Sequence, residues 1–243
     1  MKNWATKPIA DVILKTPTTD PKKTPDLKFL YVDVSGVSNK TLKVTAAEEL
    51  LGKDAPSRAR RIVSAGDVIF ATVRPTLRRI AIVPDYLDGQ VVSTGYFVFK
   101  PNLEVSNRYL YYYLQTETFM GNMQRLQAGA SYPAVNDTQV KSQTISYPPI
   151  PEQQRIVAIL DQAFADIEKA RANAEQNLKN ARELFDNYLL GILGHSNKSW
   201  MLTTVGDLCV KMEYGSSAKS LNEGDIPVLR MGNLQKGEID WGD

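Results

Sequence analysis

The pattern of apolar and polar positions divides the chain at about residue 150. Before this point, segments rich in β-branched and aromatic residues alternate with Pro, Gly and Asp, and they predict strands at 27–34, 66–73, 79–84 and 91–99. Strands that follow one another with few helices between them are typical of an α+β domain. We therefore expect a globular domain built on a mixed or antiparallel, curved β-sheet.

Three segments of the same region carry helix signals. Residues 45–52 begin with a capping-box pattern and end in glycine, which predicts a short helix. Residues 106–127 follow a serine cap and place tyrosine and leucine side chains on one face, which predicts a longer helix. Residues 136–142 begin with Asn136 and have Gln139 three positions later, so we expect one or two helical turns there.

A proline-rich junction, "YPPIPEQQRI", separates this region from the rest of the chain. Pro148, Pro149 and Pro151 are excluded from a helix interior, but proline is favoured at the first helical position. A helix that begins at Pro151 also places Glu152 in its positively polarised first turn. Neither Pro nor Gly recurs before Gly191. The sequence therefore predicts one long helix over residues 151–193.

This helix carries a heptad stripe. Apolar or small residues recur at alternating steps of four and three, interrupted by one polar position, which is typical of a coiled coil. The expected helix-pairing positions are Ile156, Leu160, Ala163, Ile167, Ala170, Ala174, Asn177, Ala181, Leu184 and Tyr188. A rod of about 60 Å is too long for the preceding domain to cover. Pairing with another long helix fits better than the alternative, an amphipathic helix packed on its own domain.

The residues after Gly194 resemble the start of the chain. Residues 200–209 match residues 4–13 in the spacing of Trp, apolar residues and Asp at an offset of 196, and residues 228–234 fall on 31–37 at an offset of 197. Two weak matches at a nearly constant offset indicate an internal duplication. The predicted organisation is one complete globular domain (1–150), a helical rod (151–193) and the beginning of a second domain of the same kind (198–243).

Composition narrows the class of protein. Hydrophobic residues at 43% and charged residues at 23% are ordinary for a globular protein, and neither a signal peptide nor a run of about 20 apolar residues is present. We therefore expect a cytoplasmic protein with no membrane contact.

The residues that usually form catalytic or metal sites are scarce. Cys209 is the single cysteine and His195 the single histidine, so we expect neither a disulfide nor a zinc or histidine-based site, and we interpret His195 as an exposed or helix-capping residue. Glycine-rich phosphate or dinucleotide loops are also missing. We expect no catalytic residues, no metal and no cofactor. A nuclease with scattered metal-binding carboxylates stays open as an alternative.

The positive charge is confined to the first segment. The formal net charge is +6 for residues 1–150, −2 for residues 151–193 and −2 for residues 194–243. A polyanion would therefore dock on the first segment. The excess is modest, and alone it does not distinguish a nucleic-acid-binding domain from an ordinary basic domain.

Arginine clusters supply the candidate DNA contacts, because arginine neutralises phosphates and reads guanine. The leading candidates are Arg58, Arg60, Arg61, Arg74, Arg78 and Arg79; weaker ones are Lys22, Lys23, Lys40 and Lys43, with Ser131, Tyr132 and Asn136 as hydrogen-bonding groups. The alternative for each cation is a solvated surface charge. The alternative for Asn136 is a helix cap.

The order of these motifs resembles the specificity subunit of type I restriction–modification systems. The similar segments are "PPIPEQQ" (148–154) followed by the heptad helix, "GDVIFATVRPTLRRIAIVP" (66–84), "GASYPAVNDTQV" (129–140) and the restart over 200–240. The resemblance covers essentially the whole chain. It rests on the order and spacing of the segments, since no single motif is decisive.

The resemblance implies a function in DNA recognition. Each target-recognition domain would read one half of a split double-stranded DNA site through the major groove, and two antiparallel long helices would set the gap between the half-sites. Modification (methyltransferase) subunits and restriction subunits would bind S-adenosylmethionine, ATP and Mg²⁺, whereas the specificity subunit itself would be non-catalytic.

This chain departs from the family pattern because it stops early in the second domain. Two solutions for the unpaired stripe stay open. It pairs with a second copy, giving a homodimer with a palindromic target, or its partner helix lies in the rest of the gene product. The alternative class of function is a coiled-coil adaptor that binds protein rather than DNA.

Overall fold

The computed structural model describes residues 4–129, 132–193, 201, 203–215, 227–235 and 237–240. The chain divides into two compact units, Met1–Asn177 and Leu178–Asp243, which are described separately. His195, interpreted as an exposed or helix-capping residue, lies outside the described residues, as does Ser131.

The described strands and helices follow one another along the chain. The strands are β1 (Ala5–Pro8), β2 (Ile13–Leu14), β3 (Lys28–Val32), β4 (Glu48–Leu51), β5 (Ala59–Ile62), β6 (Val68–Ala71), β7 (Ile80–Ile82), β8 (Val91–Ser93), β9 (Tyr96–Pro101), β10 (Thr144–Tyr147), β11 (Leu234–Gln235) and β12 (Glu238–Ile239). The helices are α1 (Ile9–Val12), α2 (Asn107–Tyr113), α3 (Glu117–Leu126), α4 (Asp137–Lys141), α5 (Ile150–Leu193) and α6 (Val205–Leu208).

Two four-stranded sheets organise the first unit. The central sheet has the strand order β2-β9-β6-β7, and all its pairs are antiparallel. The second sheet has the order β4-β3-β8-β5 and is mixed, since β3 and β8 run parallel. A separate ribbon joins β1 to β10. This arrangement confirms the predicted α+β fold with mixed and antiparallel sheets.

The central sheet is buried on both faces. Along β6, Val68 and Phe70 belong to the core beneath the helices, whereas Ile69 and Ala71 belong to the core between the sheets. Because successive side chains of a strand point to opposite faces, a strand covered on both sides needs a continuous apolar run. This explains why "VIFA" is apolar without alternation.

The helical layer that covers the sheet is built from two helices where the sequence predicts one. The predicted helix over 106–127 breaks between α2 and α3, where the hydroxyl of Thr116 accepts a hydrogen bond from the backbone N–H of Phe119 and caps the second helix. A serine or threonine favours such caps over helix interiors. The new direction places the Phe119 ring edge-on to Phe70 at a centroid distance of 5.4 Å.

The predicted helix over 45–52 is wrong, because this segment contains strand β4. Its backbone pairs with β3, with Leu50 opposite Phe29, and both side chains pack against a small core. Gly52, directly after β4, has no room for a side chain, since a Cβ there would lie 2.1 Å from the carbonyl oxygen of Thr24. Pairing with a neighbouring strand outweighs the local capping pattern.

The predicted strand over 91–99 is two strands in different sheets. The chain leaves β8 at Thr94 and Gly95 and enters β9, so the connection crosses from the second sheet to the central sheet. A Cβ at Gly95 would lie 2.4 Å from the Val34 side chain, so glycine permits this close crossing.

The long helix α5 runs without interruption from Ile150 to Leu193 and begins one residue before the predicted start. Ile156 and Leu160 of the heptad stripe are half-buried, and Ile156 packs on the main core. The stripe positions from Ala163 onwards are exposed, including Ile167 at 58% and Leu184 at 72%. The confirmed helix therefore presents most of its apolar stripe to solvent.

The elements described in the second unit recur at the offsets of the predicted repeat. Helix α6 lies 196 residues after α1, and the 3₁₀ turn Met231–Asn233 lies 197 residues after the turn Val34–Gly36. A capping box of Thr204 and Asp207 opens α6, and β11 pairs with β12 in a short hairpin.

Replacement of Phe119 by Ala tests the helical layer. The ring is fully buried, so its removal should lower the free energy of unfolding by about 3–5 kcal/mol through lost burial and a cavity. Leu103→Ala is the control, since Leu103 is 97% exposed and its loss should change stability by less than about 0.5 kcal/mol. Denaturant unfolding followed by tryptophan fluorescence measures both, and equal losses would contradict this packing.

Candidate nucleic-acid interface

Three connections meet at one end of the two sheets. The backbone N–H of Thr72, just after β6, donates to the carbonyl of Gly95 at 2.8 Å. The N–H of Thr94 donates to the carbonyl of Arg58, just before β5, also at 2.8 Å. The end of β6, the β8–β9 crossing and the start of β5 therefore form one edge, which we call the β6 edge.

The β6–β7 loop at this edge has a strained backbone. Arg74 and Arg78 have φ angles of 49° and 54°, in the left-handed region, and they flank a 3₁₀ turn over Pro75–Leu77. Left-handed non-glycine residues cost free energy and persist where surrounding contacts fix them. One such contact is the hydrogen bond from the Arg74 N–H to the Pro133 carbonyl at 2.7 Å.

The segment around Pro133 completes the edge. Ala134 forms β-bridges with Val73 and with Ala128. These bridges hold Tyr132, which is 71% exposed, under the guanidinium of Arg74, 5.0 Å from the ring centroid. An arginine stacked on an exposed tyrosine offers both a fixed cation and an aromatic face to a ligand.

Three of the predicted DNA-binding arginines hold the fold together. Arg79 donates to the carbonyls of Val34, Ser35 and Val37 at 3.1, 3.0 and 2.8 Å. Arg60 pairs with Asp20 at 2.8 Å, and Arg61 pairs with Asp137 at 2.9 Å with only 19% of its side chain exposed. These contacts use donors that a base or phosphate would need, and they give each side chain a structural role.

The other predicted cations lie in separate places. Arg58 is exposed at the β6 edge, and Arg78, also at that edge, pairs with Glu117 at 2.5 Å. Lys22 and Lys23 are exposed on the 3₁₀ turn Pro21–Lys23 beside Arg60.

Lys40 and Lys43 line a groove of about 810 Å³ between their loop, α2 and α5. This groove also contains Asp161 and Glu168, so its charge is mixed. Asn136 caps α4 through a capping box with Gln139, as the alternative interpretation expects.

A buried amide fastens the long helix to the domain. Gln153 is fully buried, and its side-chain oxygen accepts from the N–H of Ser106 at 2.8 Å. Its side-chain nitrogen donates to the carbonyls of Glu104 and Pro148 at 2.7 and 2.8 Å. In the sequence this residue stands out only as part of a family motif, because its burial depends on segments distant in sequence.

Further contacts join α2 to the helix two turns later. Arg108 pairs with Asp161 at 2.5 Å, and the rings of Tyr112 and Phe164 stack at 5.6 Å with an angle of 6° between their planes. The hydrogen bond to Asp161 raises the pKa of Arg108, and burial raises the pKa of Tyr112 to about 12. Nearby, Lys7 holds the pKa of Glu104 below its usual value through a hydrogen bond.

Metal and membrane features are lacking in the part of the chain that the structure describes. Its His, Cys, Asp and Glu side chains form no group of three or more that could hold a metal ion. Each helix in this part is too short or too polar to span a bilayer.

Comparison with protein families gives a match over most of the chain. The family model of the type I restriction modification DNA specificity domain matches residues 1–176. The MjaIX specificity subunit of Methanocaldococcus jannaschii is 26% identical over 239 residues, which cover 91% of this chain and 52% of that protein. The EcoDI specificity subunit of Escherichia coli is 24% identical over 177 residues, covering 71% of this chain and 37% of that protein.

Solved structures share the fold. The HsdS subunit of Thermoanaerobacter tengcongensis is 35% identical, with a TM-score of 0.70, and the match covers 78% of this chain and 49% of that one. A chain from a structure on complex assembly and conformational transition of the type I R-M system is 34% identical, with a TM-score of 0.74, covering 84% and 52%. The chain thus spans about half the length of these proteins.

Replacement of Arg79 by Gln tests its structural role. The shorter side chain leaves three carbonyl groups without their charged donor, so the free energy of unfolding should fall by about 1–3 kcal/mol. Arg78→Gln is the matched control, because its exposed ion pair should contribute less than about 1 kcal/mol. Denaturant unfolding measures the free energy of unfolding of both variants. An equal loss of stability in the two would refute the assigned role of Arg79.

Proposed function

The chain belongs to the type I restriction–modification DNA specificity family, and we propose that it reads one half of a split double-stranded DNA site. The observation that carries this proposal is the β6 edge. There Arg74 lies over the exposed ring of Tyr132, on a loop whose backbone is held in place by neighbouring segments. A fixed guanidinium can make the bidentate contact to O6 and N7 that distinguishes guanine from other bases.

The remaining charges at this edge suit contacts with the DNA backbone. Arg58 and Arg78 are exposed on the same edge, and cations of this kind orient a protein on DNA without reading sequence. The paired arginines Arg60, Arg61 and Arg79 then support the surface from within rather than contact bases. Lys40 and Lys43 face the groove beside α5, so we assign them no part in base reading.

The exposed stripe of α5 supports a scaffold role. Beside the heptad positions, Phe164, Leu178 and Phe185 are 47%, 56% and 61% exposed, so the apolar surface is wider than the predicted seam. An apolar stripe of this length is stable in water only when another helix covers it. We propose that the stripe pairs antiparallel with a second long helix, which in the isolated chain is that of a second copy.

The assembled complex would supply the chemistry. We propose that modification subunits bind this scaffold and methylate the DNA using S-adenosylmethionine. Restriction subunits with ATP and Mg²⁺ would add cleavage, and all of this would take place in the cytoplasm. The chain itself would be non-catalytic. The elements that recur in the second unit support the proposal that residues 198–243 begin a second recognition domain.

Methylation by a complex of this chain with its modification subunits tests the proposed function. The complex should methylate a single split motif in a random DNA library, read by methylation-sensitive sequencing. Arg74→Gln should relax the motif at one or two positions, because loss of a bidentate contact costs about 1–3 kcal/mol of discrimination.

Lys53→Gln is the control for this experiment. It removes one exposed charge just after β4, at the opposite end of the sheets from the β6 edge, and should leave the motif unchanged. Methylation without a motif, or an unchanged motif in Arg74→Gln, would count against the proposal.

Helix pairing is tested by molar mass. Ile167→Asp combined with Leu184→Asp places two carboxylates in the apolar stripe, where burial of a charge is costly. Light scattering should then give the mass of one chain for this variant and of two chains for the parent. Lys169→Asp, exposed and outside the stripe, should keep the parent mass. A mass of one chain for the parent would exclude self-pairing, and a mass of two chains for the double variant would exclude pairing through the stripe.

A further inference from the structure

The fully buried amide of Gln153 fixes the first turn of the long helix. Each hydrogen of its side-chain nitrogen is donated to a backbone carbonyl, one from Glu104 and one from Pro148. Its oxygen accepts from the backbone N–H of Ser106. Because all three partners are backbone groups, they cannot rotate away as side chains would.

The segment that receives Gln153 is itself held in place. The carboxylate of Glu104 accepts hydrogen bonds from Lys7, on β1, and from Tyr147, on β10. The hydroxyl of Ser106 caps α2 by accepting from the Tyr109 N–H at 3.2 Å. The first turn of α5 is therefore joined to the β1–β10 ribbon and to α2 at the same point.

Further residues on the same face of the helix contact the domain. Val157, Asp161 and Phe164 follow Gln153 at steps of four, four and three, so they lie on one side of the helix. Val157 is 8% exposed, but the Arg108–Asp161 pair and the Phe164 ring are considerably more exposed. Exposed ion pairs contribute little. Gln153 therefore provides the most constrained contact, and it lies at the point about which the helix would swing.

We propose that Gln153 is a positioning residue that sets the direction of the long helix relative to the β6 edge; this inference rests on the proposed function. It would thereby set the spacing between the two half-sites. The stretch Ile150–Asn177 is a lever of about 40 Å at 1.5 Å per residue. A tilt of about 10° at its base moves its far end by about 7 Å, or about two base-pair steps of 3.4 Å. If the first turn of the helix were less firmly attached, the complex would therefore accept a wider range of spacings between the half-sites.

Two substitutions separate positioning from folding. Gln153→Met keeps the length of the side chain and removes its hydrogen bonds, whereas Gln153→Glu keeps its shape and places an acceptor opposite two carbonyls. Gln154→Met is the matched control, because Gln154 is the adjacent residue of the same type and is exposed.

Spin-label distances in the full chain measure the direction of the helix. Nitroxides on cysteines replacing the exposed Lys53 and Lys169, with the exposed Cys209 changed to Ser, report on the domain and the helix. The parent and Gln154→Met should give one narrow distance distribution, and Gln153→Met should give a broader or shifted one. A distribution equal to that of the parent would overturn the inference, whatever the chain does with DNA. If Gln153→Glu does not fold, Gln153→Met still decides.

Methylation of a DNA series with spacers that differ by one base pair gives the functional readout. The parent complex should prefer one spacer by at least tenfold, and Gln153→Met should reduce that preference to a few-fold. A merely stabilising role for Gln153 would lower methylation equally at all spacers and would contradict positioning. If the parent complex methylates DNA without regard to half-sites or spacer length, the proposed function is wrong. The spin-label distances would still test whether Gln153 fixes the direction of the helix.

Discussion

The buried carboxamide of Gln153 is the interaction on which the geometry of the first unit depends. It joins the start of the long helix to the β9–α2 connection and to the proline junction through three hydrogen bonds. A buried amide left unpaired costs about 1–3 kcal/mol for each group, so these bonds oppose any bending at the junction. The junction with its three prolines is therefore a fixed corner from which the helix leaves in one direction.

The fixed junction bears on the surface at the β6 edge, because that surface belongs to the domain to which the helix is attached. Arg74, on the strained β6–β7 loop, forms a small exposed pair with Tyr132, while Arg60, Arg61 and Arg79 make contacts within the domain. The basic residues of segment 1–150 thus fall into two groups. Some make contacts that stabilise the domain, and others are exposed on its surface. The apolar stripe of α5 begins beside Gln153, where Ile156 packs on the main core, and its positions from Ala163 onwards are exposed. The helix can therefore be attached to its own domain and still offer a long surface to a partner.

Much of this organisation could be predicted from local sequence signals. The helix start near Pro151 follows from proline geometry, the heptad stripe from its periodicity and the Asn136 cap from its hydrogen-bonding side chain. Strands β6 and β7 of the central sheet follow from their runs of β-branched and aromatic residues. The strand at 48–51 could not be predicted, because its pairing with β3 is decided by residues distant in sequence. For the same reason sequence did not separate structural arginines from exposed ones. Their charge is identical, and only the folded chain brings Asp20, Asp137 or the carbonyls around Val37 to them.

Photocrosslinking in the assembled, DNA-bound complex tests the central claim most directly. A photoreactive amino acid placed at position 132 should crosslink to one or two adjacent nucleotides within one half of the split motif, because the β6 edge is held at a fixed angle to the helix. The same amino acid at position 53 should give no crosslink. Crosslinks from position 132 that are absent, or scattered along the DNA without regard to the motif, would contradict a rigid recognition domain that reads DNA through this edge.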